Sequence, residues 1–109
     1  MEQGGEARSA ANESIFREIN EAIERGQWPG EEDGPVGFRC ECAQLGCSQL
    51  VELTLAEYES IRAHSRRFLV SPGHVRLGVE VVIDTRPEYL VVEKLGQSGA
   101  MAEETDPRR

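Results

Sequence analysis

The chain is expected to fold as a small single α+β domain, and three observations point that way. Isoleucines recur at every fourth position near the start, a T-L-A-E capping box sits mid-chain, and short apolar runs bounded by turn residues follow it. The order of helix, two strands, helix and three strands suits an α+β domain with a mostly antiparallel sheet, and not alternating βαβ units. At 109 residues there is room for one domain.

The ends are expected to be disordered. Residues 1–10, MEQGGEARSA, and residues 96–109, from Gly96 through SGAMAEETDPRR, are small, polar or charged. Ordering them would cost backbone entropy and bury little apolar surface. The packed domain is then residues 11–95. Its first element is an amphipathic helix from about Ser9 to Arg25, with Ile15, Ile19 and Ile23, joined by Ala11, Ala22 and Phe16, as the core stripe. Glu13, Arg17, Glu18, Glu21 and Glu24 take the opposite, solvated side. Ser9 or Asn12 can cap the start, and Gly26 stops the helix. An acidic Pro/Gly loop follows, with Trp28 a candidate to pin it onto the body.

Val36 to Glu41 and Leu50 to Leu53 read as two strands whose connecting turn holds the cysteines, a zinc-knuckle hairpin. Thr54 and Glu57 form the capping box of a helix reaching about His64, with Leu55, Tyr58 and Ile61 or Arg62 spaced along one face. Arg67 to Val70 is a short strand and Ser-Pro-Gly-His a turn. The stretches 79–84 and 88–95 form a C-terminal hairpin in which Val79, Val81 and Ile83 alternate.

Net charge is −8, which repels nucleic-acid phosphates and anionic lipid heads, so general nucleic-acid binding is disfavoured. No run approaches the roughly 18 apolar residues of a membrane helix, and no signal-peptide pattern opens the chain. A cytoplasmic setting is expected. There, three cysteines read as a metal or redox site before they read as a disulfide framework.

All three lie within eight residues: Cys40, Cys42 and Cys47. In an extended segment the sulfurs of Cys40 and Cys42 leave the same face, which suits two ligands of one ion. It suits a disulfide poorly, because Cα atoms at i and i+2 are about 6.6–7 Å apart, at or beyond the bridging limit. Gly46 can turn the chain back to bring Cys47 to the same point. Thiolates select zinc or iron–sulfur among common choices, and a closed structural zinc site wants a fourth protein ligand. His64 ends a helix, where a cation is explained by the terminal carbonyls. His74 sits on a rigid turn, so the expected set is Cys40, Cys42, Cys47 and His74, with one, four and 26 residues intervening.

Three alternatives stand beside structural Zn2+: a redox-active thiol cluster, buried inert cysteines, and a catalytic ion with an open position. An iron–sulfur cluster generally needs four cysteines. The polar neighbours Arg39, Glu41, Gln44 and Ser48 read as marks of a surface turn and count against inert cysteines. Arg62, Arg66, Arg67, Arg76 and Arg86 with Phe68 could form a basic face, against the simpler reading that they offset the chain's own acids. No zincin, deaminase or phosphate-loop motif is present, and the chain is read as non-enzymatic.

The segments FRCECAQLGCSQLVELTLAEYESIR, RRFLVSPGH and YLVVEKLG together resemble a family of small uncharacterised proteins of high-GC Gram-positive bacteria, the actinobacteria. In that family a C-x-C-x4-C segment precedes a T-L-x-E-Y-E helix and a P-G-H turn. The resemblance covers about Asn12 to Arg108. It implies a bacterial cytoplasmic protein, favours grouping His74 with the cysteines, and brings no activity with it. The expected function is a zinc-stabilised binding or regulatory module acting through contact with another protein, by the acidic first helix or the hairpin face.

Overall fold

The computed structural model describes residues 2–26, 34–42, 44, 47–76 and 78–108, with side chains from Glu13 onward. The expectations for Trp28 and Gly46 lie outside the described residues. The elements in order are α1 (Glu2–Arg25), β1 (Val36–Arg39), β2 (Leu50–Leu53), α2 (Leu55–Arg62), β3 (Arg67–Val70), β4 (Glu80–Thr85), β5 (Leu90–Lys94) and α3 (Gly96–Glu104). Among them are two antiparallel sheets, β1-β2 and β3-β5-β4. The α+β class expected from the pattern is the one observed.

Local chemistry accounts for several boundaries. The Thr54 hydroxyl accepts from the Glu57 amide at 3.1 Å while the Glu57 carboxylate accepts from the Thr54 amide at 2.8 Å, so the capping box starts α2 as read. β2 alternates exposed and buried, placing Val51 and Leu53 inward. Phe38 on β1 stacks on Tyr58 of α2 with centroids 4.4 Å apart, joining the hairpin to the helix. All of Phe68, Leu69 and Val70 on β3 are buried, as are Val91 and Val92 on β5. β4 departs from the expected alternation. It is an edge strand with a bulge at Ile83, and Val81, Val82 and Ile83 are 43%, 43% and 39% exposed.

α1 reverses the expected orientation. Ile15 is 51% exposed and Ala22 is exposed, whereas Glu13, Arg17, Asn20 and Glu21 are buried; of the isoleucines, Ile23 packs against the core. The cause is the surface α1 lands on, which presents charges that match its polar side. Lys94 sits between Glu13 and Glu80. Arg17 lies 3.6 Å above the Phe68 ring and donates to the Arg67 carbonyl at 2.5 Å. Asn20 bonds both the amide (2.7 Å) and carbonyl (2.9 Å) of Arg39. Buried charges persist only where paired and hydrogen-bonded, and this face supplies the partners.

The C-terminal segment also differs from the expected tail. Residues 96–104 form α3, which buries Ala102 and brings Gly99 against β5 and Arg66. A Cβ at Gly99 would lie 2.9 Å from the Lys94 carbonyl oxygen and 2.5 Å from Arg66 Nη1, so only glycine permits this approach. Beyond α3 the chain acts as a strap. The Asp106 carboxylate accepts from Arg62 at 2.5 Å, and the Arg108 guanidinium reaches Glu21 and Glu24 of α1 and Glu59 of α2. Ordering this segment is offset by ion pairing and backbone proximity more than by apolar burial, which is why hydropathy did not reveal it. Likewise α1 begins at Glu2, inside the stretch 1–10 expected to be disordered and ahead of the expected start near Ser9.

The strap gives a pH test. Burial first, then the hydrogen bond and charge of Glu59, push Glu24 up to about 7, with Arg108 opposing. Between its ordinary value of 4.5 and that value the folded chain holds a proton that the unfolded chain has released, so this group lowers stability as pH rises through the window. Glu24→Gln keeps the neutral form at every pH. Its stability relative to the wild type, read as the difference in urea midpoint, is expected to grow from pH 4.5 to 7 and then level. Any pH dependence of a bound metal is common to both chains and cancels in the difference. A flat difference would refute the shift.

Candidate metal centre

The cysteine hairpin and the turn after β3 meet at one point. The ladder of β1-β2 continues past Arg39, with the Cys40 amide donating to the Gln49 carbonyl at 3.0 Å, so residues 40–42 stay extended beside β3. Side chains therefore alternate: Cys40 and Cys42 face one way and Glu41 the other. Cys40 and Cys42 are buried and Cys47 is half-buried.

The turn that presents the histidine follows from its residues. In Ser71-Pro72-Gly73-His74, proline sits at the second position and Gly73 takes φ +87° at the third, the signature of a type II turn. The His74 amide closes it onto the Ser71 carbonyl at 3.0 Å. Nothing lies within 4 Å of a Cβ built at Gly73, so it is the positive φ and not space that calls for glycine. The same turn points the Ser71 amide at Cys40 Sγ, 3.1 Å away, a hydrogen bond that holds the sulfur in place.

His74 Nδ1 stands 3.5 Å from Cys40 Sγ, 3.4 Å from Cys42 Sγ and 3.6 Å from Cys47 Sγ. All four ligand atoms lie within 4.8 Å of one another. For tetrahedral zinc, bonds of about 2.3 Å to sulfur and about 2.0–2.1 Å to nitrogen place S and N about 3.5 Å apart. The donor set and its spacing fit such an ion, and the cluster could hold a metal. Burial pushes the Cys42 thiol up to about 12, and the sulfurs of Cys47 and Cys40 act in the same direction, against a backbone hydrogen bond at Gln44. Thiolates crowded so closely call for a cation among them.

All four residues expected from the sequence are thus brought together, and His64 is exposed and apart from them. Glu41 departs from the surface turn expected of this segment: it is 0% exposed, and its carboxylate accepts from Asn20 Nδ2 (2.8 Å), the Tyr58 hydroxyl (2.9 Å) and the Leu69 amide (3.0 Å). Its own amide donates to the Leu69 carbonyl at 2.7 Å, so one residue between two candidate ligands ties hairpin, α1, α2 and β3 together. The i, i+2 alternation that sets Cys40 and Cys42 on one face sets Glu41 on the other, but its burial there depends on Asn20, Tyr58 and Leu69, which only packing brings to it. Of the five arginines considered as a basic face, Arg62 is buried against Asp106 and Glu21, and Arg66, Arg67 and Arg86 pair with Glu103, Glu93 and Asp84. The reading as internal charge compensation accounts for these four.

No family model, curated protein or solved structure matches this chain. Among the described residues, no helix is long and apolar enough to cross a membrane.

Proposed function

We propose that Cys40, Cys42, Cys47 and His74 bind one structural Zn2+, and that the domain it stabilises is a non-enzymatic module acting in the bacterial cytoplasm through contact with another protein. The observation that carries the proposal is the equal approach of one imidazole nitrogen to three sulfurs, 3.4–3.6 Å, across two sheets. Four protein donors leave no position for substrate, which is the pattern of a structural zinc site. The ion would staple the β1-β2 hairpin to the end of β3. The cytoplasmic setting and the kinship with actinobacterial C-x-C-x4-C chains belong to the same proposal.

Elemental analysis of purified protein tests it. One zinc per chain is expected in the wild type, with loss of stoichiometric metal in Cys47→Ser and His74→Ala. Cobalt loaded in place of zinc is expected to show the visible absorption of a tetrahedral thiolate site. Metal-free wild-type protein that is folded would sink the proposal. A second reading, thiol redox sensing, draws on Cys47, which is half-buried where Cys40 and Cys42 are buried. Mild peroxide separates the two: zinc retained favours the structural module, and zinc released with loss of structure favours the sensor.

A further inference from the structure

α1 buries its polar side and turns an apolar seam outward. Ile15, Ile19, Ala22 and Gly26 are spaced by four, three and four residues, the repeat of a coiled-coil seam. Ile15, Ala22 and Gly26 are exposed and Ile19 is half-buried. Beside the seam stand Glu18 and Arg25, one heptad apart, both exposed, and among the described residues neither has an ion-pair partner within the chain.

We infer that this seam pairs with the α1 of a second copy of the chain, antiparallel about a two-fold axis. The inference rests on the protein-binding part of the proposed function and not on the identity of the ion. Two complementarities select this occupant and direction. When the axis passes between Asn20 and Glu21, Ile15 faces Gly26 and Ile19 faces Ala22 of the other copy, so each large side chain meets a small one. In the same alignment Glu18 and Arg25, at equivalent flanking positions, approach Arg25 and Glu18 of the other copy. A two-fold axis makes both ion pairs at once. A parallel pairing would set Ile15 on Ile15 and leave the two charges without opposites. The overlap of Ile15 to Gly26 is about 17 Å of helix at about 1.5 Å per residue, a small interface suited to weak, reversible association.

Sedimentation velocity of the zinc-loaded full chain over a concentration series tests the inference. The wild type is expected to show a concentration-dependent dimer. Ile15→Glu is expected to abolish it. Glu18→Arg and Arg25→Glu alone are each expected to raise Kd about tenfold or more by setting like charges across the axis, and the double reversal is expected to restore the wild-type value. These positions are at the surface, so unchanged zinc content and melting in every variant are the control for folding. A wild type that stays monomeric throughout overturns the inference, as does a dimer indifferent to Ile15→Glu. Single reversals that weaken association without recovery in the double variant overturn the antiparallel arrangement. Stoichiometric zinc in a monomeric wild type would leave the proposed metal centre standing, whereas a dimer without zinc would sink the metal centre alone.

Discussion

Chelating the ion proposed for the cluster of Cys40, Cys42, Cys47 and His74 is expected to abolish the cooperative thermal transition of the domain, not merely to empty a surface site. The reason is where the ion would sit, among buried sulfurs at the junction where Glu41 also bonds the hairpin to β3. The hairpin carrying Cys40, Cys42 and Cys47 and the turn carrying His74 belong to different sheets. Three sulfurs pressed together without a cation must remain protonated or repel one another, and burial already pushes Cys42 toward the protonated form. Structural zinc contributes about 10–16 kcal/mol of apparent binding free energy in small fingers, comparable with or larger than the roughly 5–15 kcal/mol that stabilises a whole domain. Circular dichroism and amide proton dispersion should report the loss. Returning zinc should restore the fold and returning magnesium should not, since thiolates discriminate against hard ions. A chelated protein whose Tm falls by less than about 5 °C, equivalent to roughly 1 kcal/mol, would show that the cluster does not hold the domain together.

Glu41→Ala is expected to cost about 3–5 kcal/mol, the range found when one member of a buried charged network is removed. The carboxylate satisfies the Asn20 side chain, the Tyr58 hydroxyl and the Leu69 amide, and it is the principal charge offsetting the buried Arg17 guanidinium, which burial drives toward the neutral form. Truncation would leave three donors without an acceptor and a cation with less compensation, inside a site that water does not reach. For a domain of this size the corresponding fall in Tm exceeds about 10 °C. Glu41→Gln, which keeps one acceptor oxygen, should lose less. Zinc content of the folded fraction of Glu41→Ala should remain one per chain, because the carboxylate faces away from the sulfurs. A loss below about 1 kcal/mol, the scale of an exposed ion pair, would mean that the network carries no weight.

Period and chemistry along the chain were enough to find α2, β2, β3, the C-terminal hairpin and the four clustered side chains. Each depends on near neighbours: a capping box spans three residues, a type II turn needs Pro and Gly in adjacent places, and a strand sends alternate side chains to one side. Even the long link to His74 followed from counting donors, since a closed tetrahedral site needs four and only two histidines are present. The orientation of α1, the burial of Glu41 and the order of residues 96–108 could not be reached in that way. A helix carrying both an isoleucine stripe and a glutamate face has two sides that could be buried. The choice fell to Lys94, Arg62, Arg108 and Phe68, contributed by α2, β3, β5 and the strap, which match its polar side. Hydropathy scores each residue against water, whereas a buried charge is stable or ruinous according to the charge it meets, and that meeting exists only once distant segments have packed.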